Sequence, residues 1–323
     1  MDFYGYMRPN GKAGARNYVL LLPVNRSLNF IASNVERMTR NTRHFEIPAE
    51  TGRTEVDREV IARTLIGLMN NANVGGIVLL AVKSGAGSAY KNMCAERFEE
   101  EARKTGKPLR IVYLTNVGGS YNMLGETLRL TREVLLEVSD FRRENCPLSA
   151  LTLGVKCGTS DATSGIAGNP CVGAAFDQLI RAGGTAFFSE TTEIIGAEDL
   201  VAKRAVNESV AKKILSAARH WEDKAKATGE DIRKINPIPA NIAAGISSLE
   251  EKSLGAIAKS GTSPIQDVLK YAEMPKGSGL YFVDSWMSSL SLPLCLTACG
   301  ATIMLYQMGG GKIAQHPMMP SIN

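Results

Sequence analysis

Apolar runs separated by breakers divide this chain into strands alternating with helices. Tyr18-Val19-Leu20-Leu21-Leu22 is short, does not alternate, and is closed by Pro23, which predicts a strand buried on both faces. A helix is expected over 29–39, a second continuously apolar strand over 76–82, a helix over 89–104 and a strand over 109–114. A long amphipathic helix follows over 120–141. The charged stretch 142–147 ends in Cys-Pro and interrupts the pattern, which then restarts. Residues 151–155 and 185–189 read as strands around a helix over 170–182, which has Pro170 at its start, where proline is tolerated. Helices are expected over 197–204, 209–227 and 249–259, with an irregular loop over 235–247 that contains Pro237, Pro239 and Gly245. Strands over 280–283 and 302–306 flank a helix over 290–299, and the breaker-rich tail 315–323 reads as loosely attached. The expectation is an α/β protein of two consecutive domains, 1–145 and 146–323, each a mostly parallel sheet flanked by helices.

Composition narrows the function classes. Hydrophobic residues make up 44% and charged residues 21% of the 323, an ordinary globular profile that suits two cores. The net charge of +5 comes from basic residues scattered among acids, without a dense Lys/Arg block, so nucleic acid is not expected as a partner. No apolar run approaches the ~20 residues that span a bilayer, so no membrane partner is expected. The six cysteines form no CxxC pair and the start is not a signal peptide, which together point to a reducing cytoplasm. With only His44, His220 and His316, a His-rich zinc site is not expected. His220 reads as structural and His44 as solvated.

The densest polar stretch is Lys156-Cys157-Gly158-Thr159-Ser160-Asp161-Ala162-Thr163-Ser164-Gly165, directly after a buried strand. Ligands collect at the carboxyl ends of strands in open α/β sheets. Its hydroxyls and backbone N–H groups can hold an anion, with Lys156 as countercharge. Asn169-Pro170 then opens a helix whose N-terminus also favours an anion. The competing reading is a turn that only connects two elements. The stretch lacks the GxxxxGK[ST] spacing of a nucleotide-binding loop. Ser189-Glu190-Thr191-Thr192-Glu193 also follows an apolar strand; its two carboxylates can divide metal binding and proton transfer, or Glu193 can cap the next helix. Any divalent metal would take mainly oxygen ligands with one thiolate from Cys157, although Cys157 reads equally as a small buried residue. Gly309-Gly310-Gly311 could let backbone approach a ligand, with Lys312 as an anion contact.

These motifs resemble a family. Gly5-Tyr6-Met7-Arg8-Pro9-Asn10-Gly11 with Gly14-Ala15-Arg16-Asn17-Tyr18 looks like the start of the catalytic part of altronate and galactarate dehydratases. Lys156-Cys157-Gly158-x-Ser160-Asp161 with Ser164-Gly165 and Asn169-Pro170 looks like their central motif. Glu190-Thr191-Thr192-Glu193 with Gly196-Ala197-Glu198, Asn236-Pro237 with Asn241, and Glu250 through Gly255 resemble those that follow. The related sulfolactate sulfo-lyase large subunit is similar through Gly52-Arg53, Arg63 through Gly67, and Asn71-Ala72-Asn73-Val74. The likeness covers nearly the whole chain.

The resemblance implies a cytoplasmic hydro-lyase of sugar-acid catabolism, dependent on a divalent metal, expected to be iron. It would remove water from a small hydroxy acid such as altronate or galactarate to give a 2-keto acid. The alternatives are a sulfo-lyase-like subunit that expels sulfite, and a non-catalytic homologue that binds a small organic anion. On this reading Lys156 and Asp161 act at the substrate carboxylate. Glu190 or Glu193 serves as base, and Cys157 and Glu190 hold the metal. Ser160, Thr163, Ser164, Asn169, Asn241 and Lys252 bind substrate, and Arg53 meets an anionic substituent. Ala49, Gly52-Arg53, Lys83-Ser84-Gly85, Ala240-Asn241-Ile242 and Met308-Gly309-Gly310-Gly311 depart from the family pattern. The expected absence of the family's small N-terminal domain implies a separate small subunit in an oligomer; the usual C-terminal extension is expected to be absent too.

Overall fold

The computed structural model describes residues 2–49, 52–83, 90–309 and 315–323. Ser84, Gly85, Gly310, Gly311 and Lys312 lie outside them. The chain divides into two compact units, Asp2–Cys146 and Pro147–Asn323. No helix among the described residues is long and apolar enough to cross a membrane.

In the first unit, β1 (Asp2–Met7) and β2 (Ala13–Gly14) pair antiparallel, and the parallel sheet begins with β3 (Tyr18–Pro23). Then come α1 (Asn29–Met38), β4 (Thr42–His44), α2 (Glu55–Asn70), β5 (Val74–Ala81), α3 (Ala95–Lys104), β6 (Leu109–Tyr113), the short α4 (Leu114–Val117), α5 (Ser120–Ser139) and β7 (Glu144–Pro147). The parallel sheet has the order β4-β3-β5-β6. Every residue of β5 is buried, as its continuous apolar run requires. Val78 and Leu80 pack with Ile31, Val35, Val134 and Val138 from α1 and α5. The alternate residues Ile77 and Leu79 point to the other face, where α2 and α3 lie. Helix α2 begins on a capping box between Thr54 and Asp57.

The sequence pattern misses the small sheet β2-β1-β7, because β2 is two residues long and β1 and β7 are largely exposed or part-exposed. Its job is structural. Buried Arg8 donates to the carbonyl of Ala72 at 2.8 Å and to Asn17 Oδ1 at 2.9 Å. Asn73 Oδ1 accepts from the N–H groups of Ala15 and Arg16 at 2.8 and 3.0 Å. A Cβ on Gly14 would fall 2.1 Å from the Ala72 oxygen, so only glycine fits. The motif at 5–18 and the motif at 71–74 are thus two halves of one clamp. His44, expected to be solvated, is instead half-buried against Glu36.

The second unit winds outward from β8 (Thr152–Cys157). Helix α6 (Asn169–Arg181) leads to β9 (Thr185–Phe188), then come α7 (Glu198–Ala202), α8 (Glu208–Ala227), α9 (Ile232–Ile235), α10 (Pro239–Ala243) and α11 (Leu249–Ile257). The stretch read as an irregular loop therefore carries α10 and the last residue of α9. Strands β10 (Ile265–Leu269) and β11 (Gly279–Val283), helix α12 (Ser291–Cys299), β12 (Ile303–Gln307) and β13 (Ser321–Ile322) complete it. The sheet order is β10-β11-β9-β8-β12-β13, parallel throughout. The chain leaves β8 on one side through β9 and returns on the other as β12, which makes the carboxyl end of β8 a topological switch point. Leu292, Cys295, Leu296 and Cys299 of α12 pack on Phe187, Met304 and Tyr306. The tail is not loose: β13 pairs with β12, and Met318 and Met319 are buried. A two-residue strand among breakers leaves no periodicity to read.

Candidate active site

Because the sheet is parallel, the loops after β8 and β9 leave the same edge, and the tight turn 258–260 after α11 arrives there as well. Lys156 and Cys157 are the last residues of β8, in register with Tyr306 and Gln307 of β12. Glu190 stands two residues beyond β9 with φ of +73°, a left-handed conformation that is strained for a residue with a side chain. The turn is held in place by Thr191, whose N–H donates to Ser285 O at 2.9 Å and whose hydroxyl donates to Asp284 at 2.8 Å. That twist aims the Glu190 carboxylate back at β8.

The result is a buried cluster. Lys156 Nζ donates to Glu190 Oε1 at 3.1 Å and to the Cys157 carbonyl at 2.8 Å. Lys259 Nζ lies 2.6 Å from Glu190 Oε2, 2.6 Å from Glu193 Oε2 and 3.3 Å from Cys157 Sγ. Cys157 Sγ lies 3.0 Å from Glu193 Oε2. Lys156, Cys157, Glu190, Glu193 and Lys259 are each at most 3% exposed. Two ammoniums face two carboxylates, so the cluster is neutral when the thiol keeps its proton. Burial, then Glu190 and Glu193, push the Cys157 thiol well above its ordinary value, so it does keep it at neutral pH. Burial would raise Glu190, but the ammoniums of Lys259 and Lys156 hold it below the ordinary carboxylate value. Burial likewise opposes the charge on Lys259, yet the carboxylates of Glu190 and Glu193 outweigh it and raise this lysine. Lys156 is raised too, with burial outweighed chiefly by Glu190.

Lys259 was not singled out in the sequence. It looks like an ordinary basic residue closing a helix, and only the fold carries it across to the strand ends. Its delivery depends on Gly173 of α6, where a Cβ would fall 2.2 Å from the Ala258 carbonyl oxygen. The bare glycine lets α6 and the turn 258–260 approach this closely.

A cavity of about 520 Å³ opens over this cluster, and Lys156, Cys157, Glu193, Asn241, Lys252 and Tyr306 are among the residues that line it. Lys252 is 8% exposed, and its ammonium donates only to amide oxygens, Asn236 Oδ1 at 2.6 Å and Asn241 Oδ1 at 3.0 Å. No ion pair to it occurs among the described residues. Asn241 in turn donates to the Ser160 carbonyl at 3.0 Å, tying the α10 region to the central loop. A larger hollow of about 1210 Å³ between α8 and β10 is lined by none of the cluster residues. The chemistry assigns the site to the smaller one.

The remaining sequence candidates make contacts of their own. Asp161 turns into its own loop and accepts from Thr163 Oγ1 at 2.6 Å and from Ser164 N and Oγ at 2.9 and 3.1 Å. The Thr163 bond leads the set that holds this carboxyl below its ordinary value. Gly309 passes so close that a Cβ there would lie 2.2 Å from Asp161 Oδ2. Asn169 donates to Gly255 O at 2.9 Å, while its Oδ1 is buried without a protein donor. It borders a hollow of about 310 Å³ that shares Ser160 and Lys252 with the main cavity. Arg53 belongs to the first unit, where its Nε donates to Ala49 O at 2.6 Å. His316 is half-buried beside Thr297.

The donor chemistry of Cys157, Glu190 and Glu193 is compatible with a metal ion: one ligand atom from each lies within 4.8 Å of the others, one soft and two hard. The place among them is taken by the ammonium of Lys259.

Comparison with known proteins places this geometry in context. The C-terminal domain of D-galactarate/altronate dehydratase matches residues 148–323, and the second domain of D-galactarate dehydratase/altronate hydrolase matches residues 5–139. The chain is 33% identical to the (2R)-sulfolactate sulfo-lyase subunit beta of Chromohalobacter salexigens over 99% of its own length and 80% of that protein. It is 32% identical to altronate dehydratase of Bacillus subtilis over 96% of its length, and 30% identical to galactarate dehydratase (L-threo-forming) of Escherichia coli, again over 96%. It spans 62% of each of these two dehydratases.

Proposed function

We propose that this chain, which belongs to the D-galactarate/altronate dehydratase family, is a lyase that eliminates water from a small sugar acid to leave a 2-keto acid. The observation that carries the reading is the neutral buried cluster at the 520 Å³ cavity, which is also lined by Lys252, an ammonium whose partners among the described residues are amide oxygens. An unmatched buried cation is costly without an anion, so Lys252 is the natural seat for the substrate carboxylate. Glu193 faces the cavity and is placed to take the proton beside that carboxylate. Lys156 also faces the cavity; its ammonium stabilises the enolate oxygen and supplies the proton with which the neighbouring hydroxyl leaves as water. The C–H electrons form the C=C bond as the C–O bond breaks, and the enol tautomerises to the keto acid. Glu190 does not line the cavity and acts by holding Lys156 and Lys259 in place.

A second reading has sulfite as the leaving group, because the sulfo-lyase subunit is matched over more of its length than the dehydratases are. The name of that relative also supports a partner polypeptide in the working enzyme. The test is turnover of altronate, galactarate and sulfolactate by the chain purified with whatever co-purifies, following keto acid and sulfite separately. Keto acid without sulfite is the expected result. Lys252→Met should raise KM by about 30-fold or more, the loss of one charge-assisted contact worth ~2–3 kcal/mol. No keto acid from any of the three, or an unchanged KM in the variant, would overturn the reading.

A further inference from the structure

The geometry points to Lys259 as a built-in cation that excludes a divalent metal from the Cys157–Glu190–Glu193 triad. The Lys259 ammonium lies 2.6 Å from a carboxylate oxygen of each glutamate and 3.3 Å from the sulfur. An ion bound to the same three atoms would sit ~2.0–2.3 Å from each. Two cations sharing those ligands would be at most about 5 Å apart, in a place where the side chains are at most 3% exposed and solvent screens their repulsion little.

The lysine cannot easily step aside. It is carried by the turn 258–260, locked against α6 where Gly173 and Gly261 approach backbone to backbone. Ser260, next in the chain, accepts from Arg204 at 2.8 Å through its hydroxyl and again at 3.2 Å through its carbonyl. The charge count agrees: with Lys156 the ammonium neutralises both carboxylates, so the triad has no negative charge left for a dication. The triad is therefore a cation site filled by the protein itself, and removing Lys259 opens it. This inference concerns the cluster of the proposed function, but it is read from ion binding and not from turnover, so either can fail alone.

The experiment is a cobalt(II) titration of the full chain, with the thiolate-to-cobalt charge-transfer band in the near ultraviolet as readout. The wild-type chain should show no such band. Lys259→Met should take up one equivalent with the band, at least about a hundredfold more tightly, and the band should vanish when Cys157→Ser is added. Cobalt should also raise the Tm of Lys259→Met and leave that of the wild-type chain unchanged. A stoichiometric Cys157-dependent band in the wild-type chain overturns the inference, as does a folded Lys259→Met that binds cobalt no better. Should Lys259→Met not fold, Lys259→Gln takes its place, and the wild-type titration is decisive by itself.

Discussion

Substituting Glu190→Gln removes one of two carboxylates that offset two ammoniums in a buried setting. Glu190 accepts from Lys156 at 3.1 Å, from Lys259 at 2.6 Å and from the Cys157 N–H at 3.3 Å. Glutamine keeps the shape and the left-handed backbone of φ +73°, so strain is unchanged and charge is isolated as the variable. The variant leaves one net positive charge buried, and breaking a buried pair this way costs about 3–5 kcal/mol. Adding Lys156→Met restores neutrality, because Lys259 then faces Glu193 alone. The double variant should regain about 2 kcal/mol or more of the loss, a coupling measurable in a double-mutant cycle. Both tryptophans, Trp221 and Trp286, lie in the second unit with stacked rings 6.3 Å apart, so their fluorescence in urea reports the unfolding of that unit. If the two single losses simply add in the double variant, the charge-balance account of the cluster is wrong.

Gly173→Ala places a Cβ 2.2 Å from the Ala258 carbonyl, so it should cost about 1–3 kcal/mol and displace Lys259; wild-type stability in urea would refute the close-packing argument. Burial lowers His316 from its ordinary value to about 4, so its contribution to stability is present above the unfolded value of 6.5 and lost as pH falls through about 4. Denaturation across that window should show a loss of at most about 3 kcal/mol that His316→Gln abolishes, and an equal slope in the variant would remove the assignment.

Much of the architecture was legible because periodic burial is a local property. Unbroken apolar runs at 18–22, 76–82 and 186–188 point to strands covered on both faces, and strands spaced by helices point to parallel pairing. Parallel pairing alone puts the loops after Cys157 and Phe188 on one edge. Strands without a burial pattern, such as the largely exposed or part-exposed β1 and the two-residue β13, were not legible. The motif at 5–18 has a pattern but no local sign of its role; only the contact with Ala72 and Asn73 makes it a clamp.

The site divides along the same line. Which residue types gather near the strand ends could be read from the segments that follow the strands. How they are charged could not. Glu190 turns inward only because its backbone is forced left-handed by the Thr191–Ser285 anchor, and Asp161 turns away because its own loop satisfies it. Lys259 reaches Cys157 from 102 residues further along the chain, on a turn that α6 admits through a bare glycine. Periodicity is written in neighbours along the chain, whereas electrical neutrality in a buried cluster is set by whatever charges the closed fold brings within about 3 Å, and that only the tertiary structure decides.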